Sequence, residues 1–484
     1  MDINKNANLS MLCDFYELTM GNGYFVQGMQ DRITYFDIFF RSVPDNGGYA
    51  IAAGLEQAIE YIQQLHFDED DIAYLRSRNM FDEGFLDYLR DFRFTGDIWA
   101  VPEGTPIFPR EPIMTVRAPA IHAQLGETFL LLTLNHQSLI ATKANRVVRA
   151  AKGRVVLEFG SRRAQGVDAA VDGARAAYIG GCKGTACTLT DQLYGVPAGG
   201  TMAHSWVQMF PSEYEAFKAY CETYPDNPTL LVDTYNTLRS GIPNAIRVFN
   251  EVLKPRGLTK CGIRLDSGDM TYLTRKARKM LDEAGLTETG IVLSNDLDEY
   301  TIKSIKDSGA QVNSWGVGTK LTTAYDQPAL GGVYKLAAKR ETADSEWQDC
   351  IKVSGQAAKL TTPGVLDVRR YFHEDGRLAG DMVFDINHGV ERERIVDPAD
   401  EIRQKSLAGL AYTTLLEPIV RTGIRVVDPS FGNAMEARER CREQLDLLDE
   451  SQKRILNPHS YPVGLEYGLF HRRHKLVSDM LGNS

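Results

Sequence analysis

The chain has 484 residues, too many for one ordinary core, so two or three domains are expected. A hydrophobic fraction of 43% suits a folded protein, and a net charge of −10 disfavours a general nucleic-acid role. No apolar run approaches the roughly 20 residues that span a bilayer, and residues 1–8 lack the apolar core of a secretion signal. The seven cysteines contain no C-x-x-C, which disfavours a zinc ribbon and fits reduced thiols in a cytoplasmic protein.

In chain order, residues 34–40 read as a strand, 53–64 as a helix and 96–118 as short β segments with turns. Lys143 and Arg146 sit three apart on one helix face, which by default is an exposed face. The middle of the chain then alternates short apolar runs with amphipathic helical patterns, and each run ends in polar or glycine-rich residues. The runs begin near 155, 183, 196, 230, 262, 291 and 312. Helices are expected over 213–223, 244–253, 270–284 and 298–308, the last two stopped by Gly285 and Gly309. About seven βα units imply a parallel sheet with helices outside it. A closed α/β barrel is favoured over a doubly wound open sheet, because polar clusters follow every run rather than two or three. After Gly331 the chain again reads as β-rich over 335–359 and 365–396, with a charged helix over 435–455. The two flanks are expected to form one further domain, with the barrel inserted between its halves.

The chemistry lies at the ends of the apolar runs. Phe159-Gly-Ser-Arg162-Arg163 offers an aromatic face beside two guanidiniums, which suits a flat ring and an anion. The plainer reading is a core phenylalanine with surface arginines. Gly195-Val-Pro-Ala-Gly-Gly-Thr201-Met-Ala-His204 puts one of nine histidines where a strand gives way to a helix. An imidazole there can accept a phosphoryl group or move a proton near neutral pH, or it can simply belong to the core or the helix cap. Arg264-Leu-Asp266-Ser-Gly268-Asp269 sets two carboxylates around a glycine. That suits a ribose diol or a magnesium-linked polyphosphate, unless Asp269 only caps the helix that follows. Gly316-Val-Gly318-Thr319 lets backbone N–H groups approach a phosphate, or forms a plain turn.

Together with Asp14-Phe-Tyr16-Glu-Leu-Thr19-Met20, Tyr35-Phe-Asp-Ile-Phe-Phe-Arg41, Lys183-Gly-Thr-Ala186, Val232-Asp-Thr-Tyr235 and Ser294-Asn295-Asp296, these blocks resemble nicotinate phosphoribosyltransferases along nearly the whole chain. The resemblance implies the type II phosphoribosyltransferase fold. In that fold an irregular, incomplete α/β barrel (here over 131–350) joins a mixed α+β domain built from both chain ends (1–130 and 351–484). It implies a reaction between nicotinate and 5-phosphoribosyl 1-pyrophosphate (PRPP) that gives nicotinate mononucleotide and pyrophosphate in NAD salvage. That reaction is coupled to ATP hydrolysis through a phosphohistidine.

Carried over by position, His204 is the phosphorylated histidine and Asp266 holds the ribose hydroxyls. Phe159, Thr201, Arg264 and a neighbouring subunit's Tyr16 surround the nicotinate, which implies a homodimer with shared sites. Arg162, Lys143, Arg146, Gly268, Asn295, Gly318 and Thr319 serve the phosphoribosyl and pyrophosphate groups, and Asp269 serves Mg2+. Nicotinamide-using relatives carry an aspartate where Ala186 stands. Its absence favours the acid over the amide, since a carboxylate there would repel nicotinate. In Lys359-Leu-Thr-Thr-Pro-Gly364 the chain departs from the family, which commonly has a lysine where Leu366 stands. Nicotinamide or quinolinate phosphoribosyltransferases, a non-catalytic nucleotide-binding barrel and a generic aldolase-like barrel are the competing readings.

Overall fold

The computed structural model of the chain describes residues 8–353 and 360–482. The chain divides into two compact units, one of residues 140–328 and one of 1–139 with 329–484. The sequence boundaries of 130 and 350 lie a little outside these. The helix Glu127–Ala150 carries the first boundary within it. The second moves because Val333–Arg340 pairs antiparallel with Ile33–Phe39.

Residues 140–328 contain six strands, β1 (Val155–Glu158), β2 (Gly184–Thr185), β3 (Thr229–Leu231), β4 (Gly262–Leu265), β5 (Gly290–Asn295) and β6 (Ser314–Val317). All pair in parallel, in the order β2-β1-β6-β5-β4-β3. Their apolar residues, among them Leu230, Ile263, Leu265, Ile291, Leu293, Trp315 and Val317, are fully buried, as in a sheet covered on both faces. The run expected near 196 contributes only a parallel bridge from Ala198 to Thr185. Pro197 has no N–H for a ladder, and Gly199 and Gly200 have no side chain to pack. Among the described residues the two edges, at Ala198 and β3, do not pair, so the sheet is open rather than a closed barrel.

The helices Met270–Glu283 and Glu299–Asp307 begin at Asp269 and Asp298, whose side chains accept from Tyr272 N and Thr301 N. Both are followed by glycines at positive φ, Gly285 and Gly309, as a left-handed stop requires. The segment expected as one helix over 244–253 is a short α-helix, Ile242–Val248, between two wider turns.

The other unit holds an antiparallel seven-stranded sheet made from both chain ends and a six-stranded sheet made from the C-terminal part. The charged helix is shorter than expected, Ala434–Asp446. Near the N-terminus, the helix Phe15–Val26 starts with a capping box between Asp14 and Glu17. The buried Glu17 carboxylate accepts from the backbone N–H groups of Asp14 and Thr128, each at 3.2 Å, and from the Thr128 hydroxyl. Burial, only partly offset by these bonds, pushes its pKa from 4.5 up to about 7. A carboxyl whose pKa rises on folding stabilises below its unfolded value, and that stability is lost as pH rises through the folded value. Between pH 4.5 and 7 the wild type should therefore lose roughly 3 kcal/mol relative to Glu17→Gln, at about 1.4 kcal/mol per pH unit. Denaturant unfolding of both proteins at pH 4.5 and 8 checks this. A difference that does not change with pH would contradict it.

Candidate active site

The segments leaving the C-terminal ends of β1, β2, β4, β5 and β6 and of the Ala198 bridge converge on an open cavity of ≈ 420 Å³. That is the size of a small-molecule site, placed where parallel α/β sheets bind ligands. After β1 comes Phe159, whose N–H donates to Val317 O at 2.7 Å. Its ring lies against Gly316, where a Cβ would stand 2.5 Å from Cδ2 of the ring, so the bare glycine makes room for the aromatic face. Arg162 and Arg163 follow in a single 3-10 turn. Both are exposed and line the cavity, and among the described residues neither guanidinium has an acidic partner. Their charge is therefore available to an anion. After β2, exposed Ala186 presents a methyl group to the same space.

Beyond the Ala198 bridge, Thr201 and His204 face the cavity, His204 as the first residue of the five-residue helix His204–Gln208. The imidazole is 41% exposed. Its Nδ1 lies 3.1 Å from the Thr234 hydroxyl and its Nε2 lies 3.9 Å from an Asp266 oxygen. The latter is an electrostatic approach, too long for a hydrogen bond.

Arg264, at the end of β4, is the hub. It donates from Nε to the Ser294 hydroxyl at 2.9 Å, and from Nη1 to the Thr201 hydroxyl at 2.8 Å and to Met202 O at 3.1 Å. Its Nη2 stands 3.6 Å from Asp266, which also accepts from Ser294. The Asp266 N–H and the Ser267 hydroxyl both donate to Asp233 at 2.8 Å, which fixes the turn that carries Asp266. β5 ends in Asn295, a non-glycine residue at φ 152°, which lines the cavity beside Asp296. β6 leads to Gly318 and to Thr319, which opens the short helix Thr319–Thr322.

Phe159, Arg162, Thr201, His204, Arg264, Asp266, Asn295, Gly318 and Thr319 are thus brought to one cavity. Five other expected site residues lie elsewhere. Lys143 and Arg146 do not lie on an exposed face and do not line the cavity. Lys143 is 1% exposed and pairs with Glu299 and Asp326 at 3.0 Å, while Arg146 donates to Glu299 at 2.8 Å. A buried carboxylate takes up their charge, because neither side could be buried alone. Asp269 is an exposed helix cap, its Oδ1 accepting from Tyr272 N at 2.9 Å, and Gly268 forms the preceding turn at φ +85°. Neither lines the cavity. Tyr16 belongs to the other unit, on Phe15–Val26, and is 43% exposed. Among the described residues no group of three or more His, Cys, Asp or Glu side chains could hold a metal ion. Lys359 lies outside the described residues. Leu366 is buried in the strand Leu366–Phe372.

The sequence reading passed over Ser294, Thr234 and Asp233, which hold the cavity residues Arg264, His204 and Asp266 by hydrogen bonds. Each sits at a strand end that the pattern had marked, and only the fold shows which neighbour it reaches.

Three family models cover most of the chain. They are the nicotinate phosphoribosyltransferase N-terminal domain over residues 11–135, the nicotinate phosphoribosyltransferase family over 155–360 and the C-terminal domain over 367–473. A nicotinate phosphoribosyltransferase of Bacillus subtilis is 44% identical over 466 residues, which is 95% of this chain and 94% of that protein. The crystal structure of human nicotinic acid phosphoribosyltransferase matches with a TM-score of 0.82 at 28% identity, covering 96% of this chain and 99% of that one. A Pyrococcus furiosus nicotinate-nucleotide pyrophosphorylase shares the fold, with a TM-score of 0.69 at 24% identity over 92% of this chain and 97% of that one. No helix among the described residues is long and apolar enough to cross a membrane. The order of the strand-end blocks, their meeting in one cavity and the matches along nearly the full length agree, and the chain belongs to the nicotinate phosphoribosyltransferase family.

Proposed function

We propose that this chain, whose family works in NAD salvage, joins nicotinate to PRPP and couples the reaction to ATP hydrolysis through a phosphoryl group carried on His204. The observation that carries this reading is the meeting of Phe159, Arg264, Asp266, His204 and Thr319 in one cavity. Nicotinate nitrogen forms the new bond to the anomeric carbon as the bond to pyrophosphate breaks. Positive charge builds on the sugar and negative charge on the leaving group. No protein base is needed, because the pyridine nitrogen already has its lone pair. The protein's part is orientation and electrostatics. Phe159 holds one face of the ring, and Tyr16 of a second copy covers the other in a homodimer with shared sites. Arg264 attracts the carboxylate, Asp266 takes the ribose hydroxyls, and Gly318, Thr319 and Asn295 hold the 5′-phosphate end. Arg162 meets the leaving pyrophosphate.

The coupling step moves the ATP γ-phosphoryl group to an imidazole nitrogen of His204 and releases ADP. Water later takes that group as phosphate. Mg2+ suits this site as an ion arriving on the diphosphate, which would offset the charge of the leaving group, with Asp266 better placed to meet it than the helix-capping Asp269. The six strands suit an incomplete α/β barrel, because the last strand, β6, pairs with the first, β1, which a doubly wound sheet does not do. Ala186 at the cavity wall favours nicotinate over nicotinamide.

The test is pyrophosphate release from PRPP with nicotinate, and separately with nicotinamide or quinolinate, each with and without ATP and Mg2+ in a cytoplasmic-type buffer. Nicotinate-specific release, raised by ATP with ADP formed alongside, is expected. Preference for the amide or for quinolinate would overturn the substrate reading. Release indifferent to ATP would overturn the coupling.

A further inference from the structure

The cavity wall includes the two groups given to the pyridine ring in the proposed function, Phe159 after β1 and Ala186 after β2. One buried side chain ties both segments together, and it is not itself in the cavity. Glu158 is the last residue of β1 and is 1% exposed. Its Oε1 accepts from the N–H of Gly160, directly after Phe159. Its Oε2 accepts from the Thr185 hydroxyl at 2.6 Å, directly before Ala186. That hydroxyl in turn accepts from the N–H of Cys187 at 2.9 Å, and the Glu158 carbonyl accepts from the N–H of Ala186 at 2.8 Å. The backbone on both sides of Ala186 is therefore bonded to Glu158, directly or through one hydroxyl. Gly160 permits the arrangement, since a Cβ there would lie 2.7 Å from Oε1 and 2.5 Å from Thr322.

An acid is not cheap at this place. Burial pushes the Glu158 pKa up, and the two hydrogen bonds oppose that shift. An apolar residue would join two strand ends without desolvating a carboxyl group. What a carboxylate adds is two acceptor oxygens for two converging donors. An amide has one acceptor, and its NH2 would face a donor.

We infer that Glu158 is a positioning residue for the pyridine subsite: through Gly160 and Thr185 it sets where the Phe159 ring and the Ala186 methyl stand, and so how tightly nicotinate is held and how well nicotinamide is rejected. This rests on Phe159 and Ala186 flanking the pyridine ring. It assigns Glu158 no contact with substrate and no proton transfer. The effect should appear chiefly in nicotinate binding rather than PRPP binding, because the Glu158 side chain bonds to Gly160 and Thr185 and not to Thr319 or Asp266.

The test compares Glu158→Gln, Thr185→Val and Thr185→Ser in the full-length enzyme. Leaving one donor unmatched in a buried pair should raise KM for nicotinate about tenfold in Glu158→Gln and in Thr185→Val. Thr185→Ser keeps the hydroxyl and should behave as wild type. The KM for PRPP should stay within about twofold and kcat within about threefold in all three. The nicotinate-to-nicotinamide ratio of kcat/KM should fall with the first two. The double variant Glu158→Gln/Thr185→Val should be no worse than either single one, since both break one path. Should Glu158→Gln fail to fold, the Thr185 pair decides the matter alone. Loss of thermal stability with an unchanged nicotinate KM would reduce Glu158 to a structural acid and overturn the inference, as would equal rises in both KM values. Failure of the wild type to use nicotinate would instead overturn the substrate assignment.

Discussion

Arg264→Ala is expected to lower kcat/KM for nicotinate by about 10²- to 10³-fold, equivalent to about 3–4 kcal/mol. The guanidinium is only 13% exposed and serves four partners at once, namely Ser294, Thr201, Met202 O and Asp266. Removing it withdraws the cation proposed to attract the nicotinate carboxylate. It also leaves Asp266 facing the cavity without its nearby positive charge and strips the Thr201 hydroxyl of a donor. The first loss raises KM, and the second disturbs the group assigned to the ribose, so both constants should move. Arg264→Lys should recover little, because an ammonium group cannot reach Ser294 and Thr201 together with a planar fork. Steady-state kinetics against nicotinate and PRPP separate these terms. A loss below about threefold in Arg264→Ala would show that the carboxylate is recognised elsewhere, with Arg162 and Arg163 as the next candidates.

The strand ends were legible because an apolar run buried on both faces has to stop where polar chemistry begins. Six of the seven runs became paired strands on that rule, and their polar ends now line or brace one cavity. The run containing Pro197, Gly199 and Gly200 is reduced to one bridge because those residues cannot sustain a ladder. The same rule failed on the helix Glu127–Ala150. Spacing shows that Lys143 and Arg146 share a face, but not which face is buried. That is settled by Glu299, 156 residues beyond Lys143. Asp269 shows a related limit: a carboxylate before a helix serves as a cap wherever the backbone offers free N–H groups, whatever else the motif suggests. Glu158, directly before the Phe159 block, carries no mark of a site in the sequence, because an acid at the last position of a strand gives no sign of turning inward.

His204→Ala should abolish the ATP-stimulated part of turnover while slow, ATP-independent transfer from PRPP survives. The two outcomes separate because His204 lines the cavity but lies outside the hydrogen-bonded set around Arg264. Its bonded neighbour is Thr234, and its approach to Asp266 is 3.9 Å. Phe159, Arg264 and Thr319 keep their supports when the imidazole is removed, so orientation of nicotinate and PRPP persists. What is lost is the one imidazole among the described residues that line the cavity, the group proposed to carry the phosphoryl. In the proposed coupling, hydrolysis of that phosphoryl group supplies the free energy that drives synthesis against the pyrophosphate released. Incubation with γ-labelled ATP checks the carrier directly. Acid-labile, base-stable label should appear on the wild type, decay when nicotinate and PRPP are added, and be absent from His204→Ala. Label retained by the variant, or ATP stimulation persisting in it, would place the phosphoryl carrier on another residue.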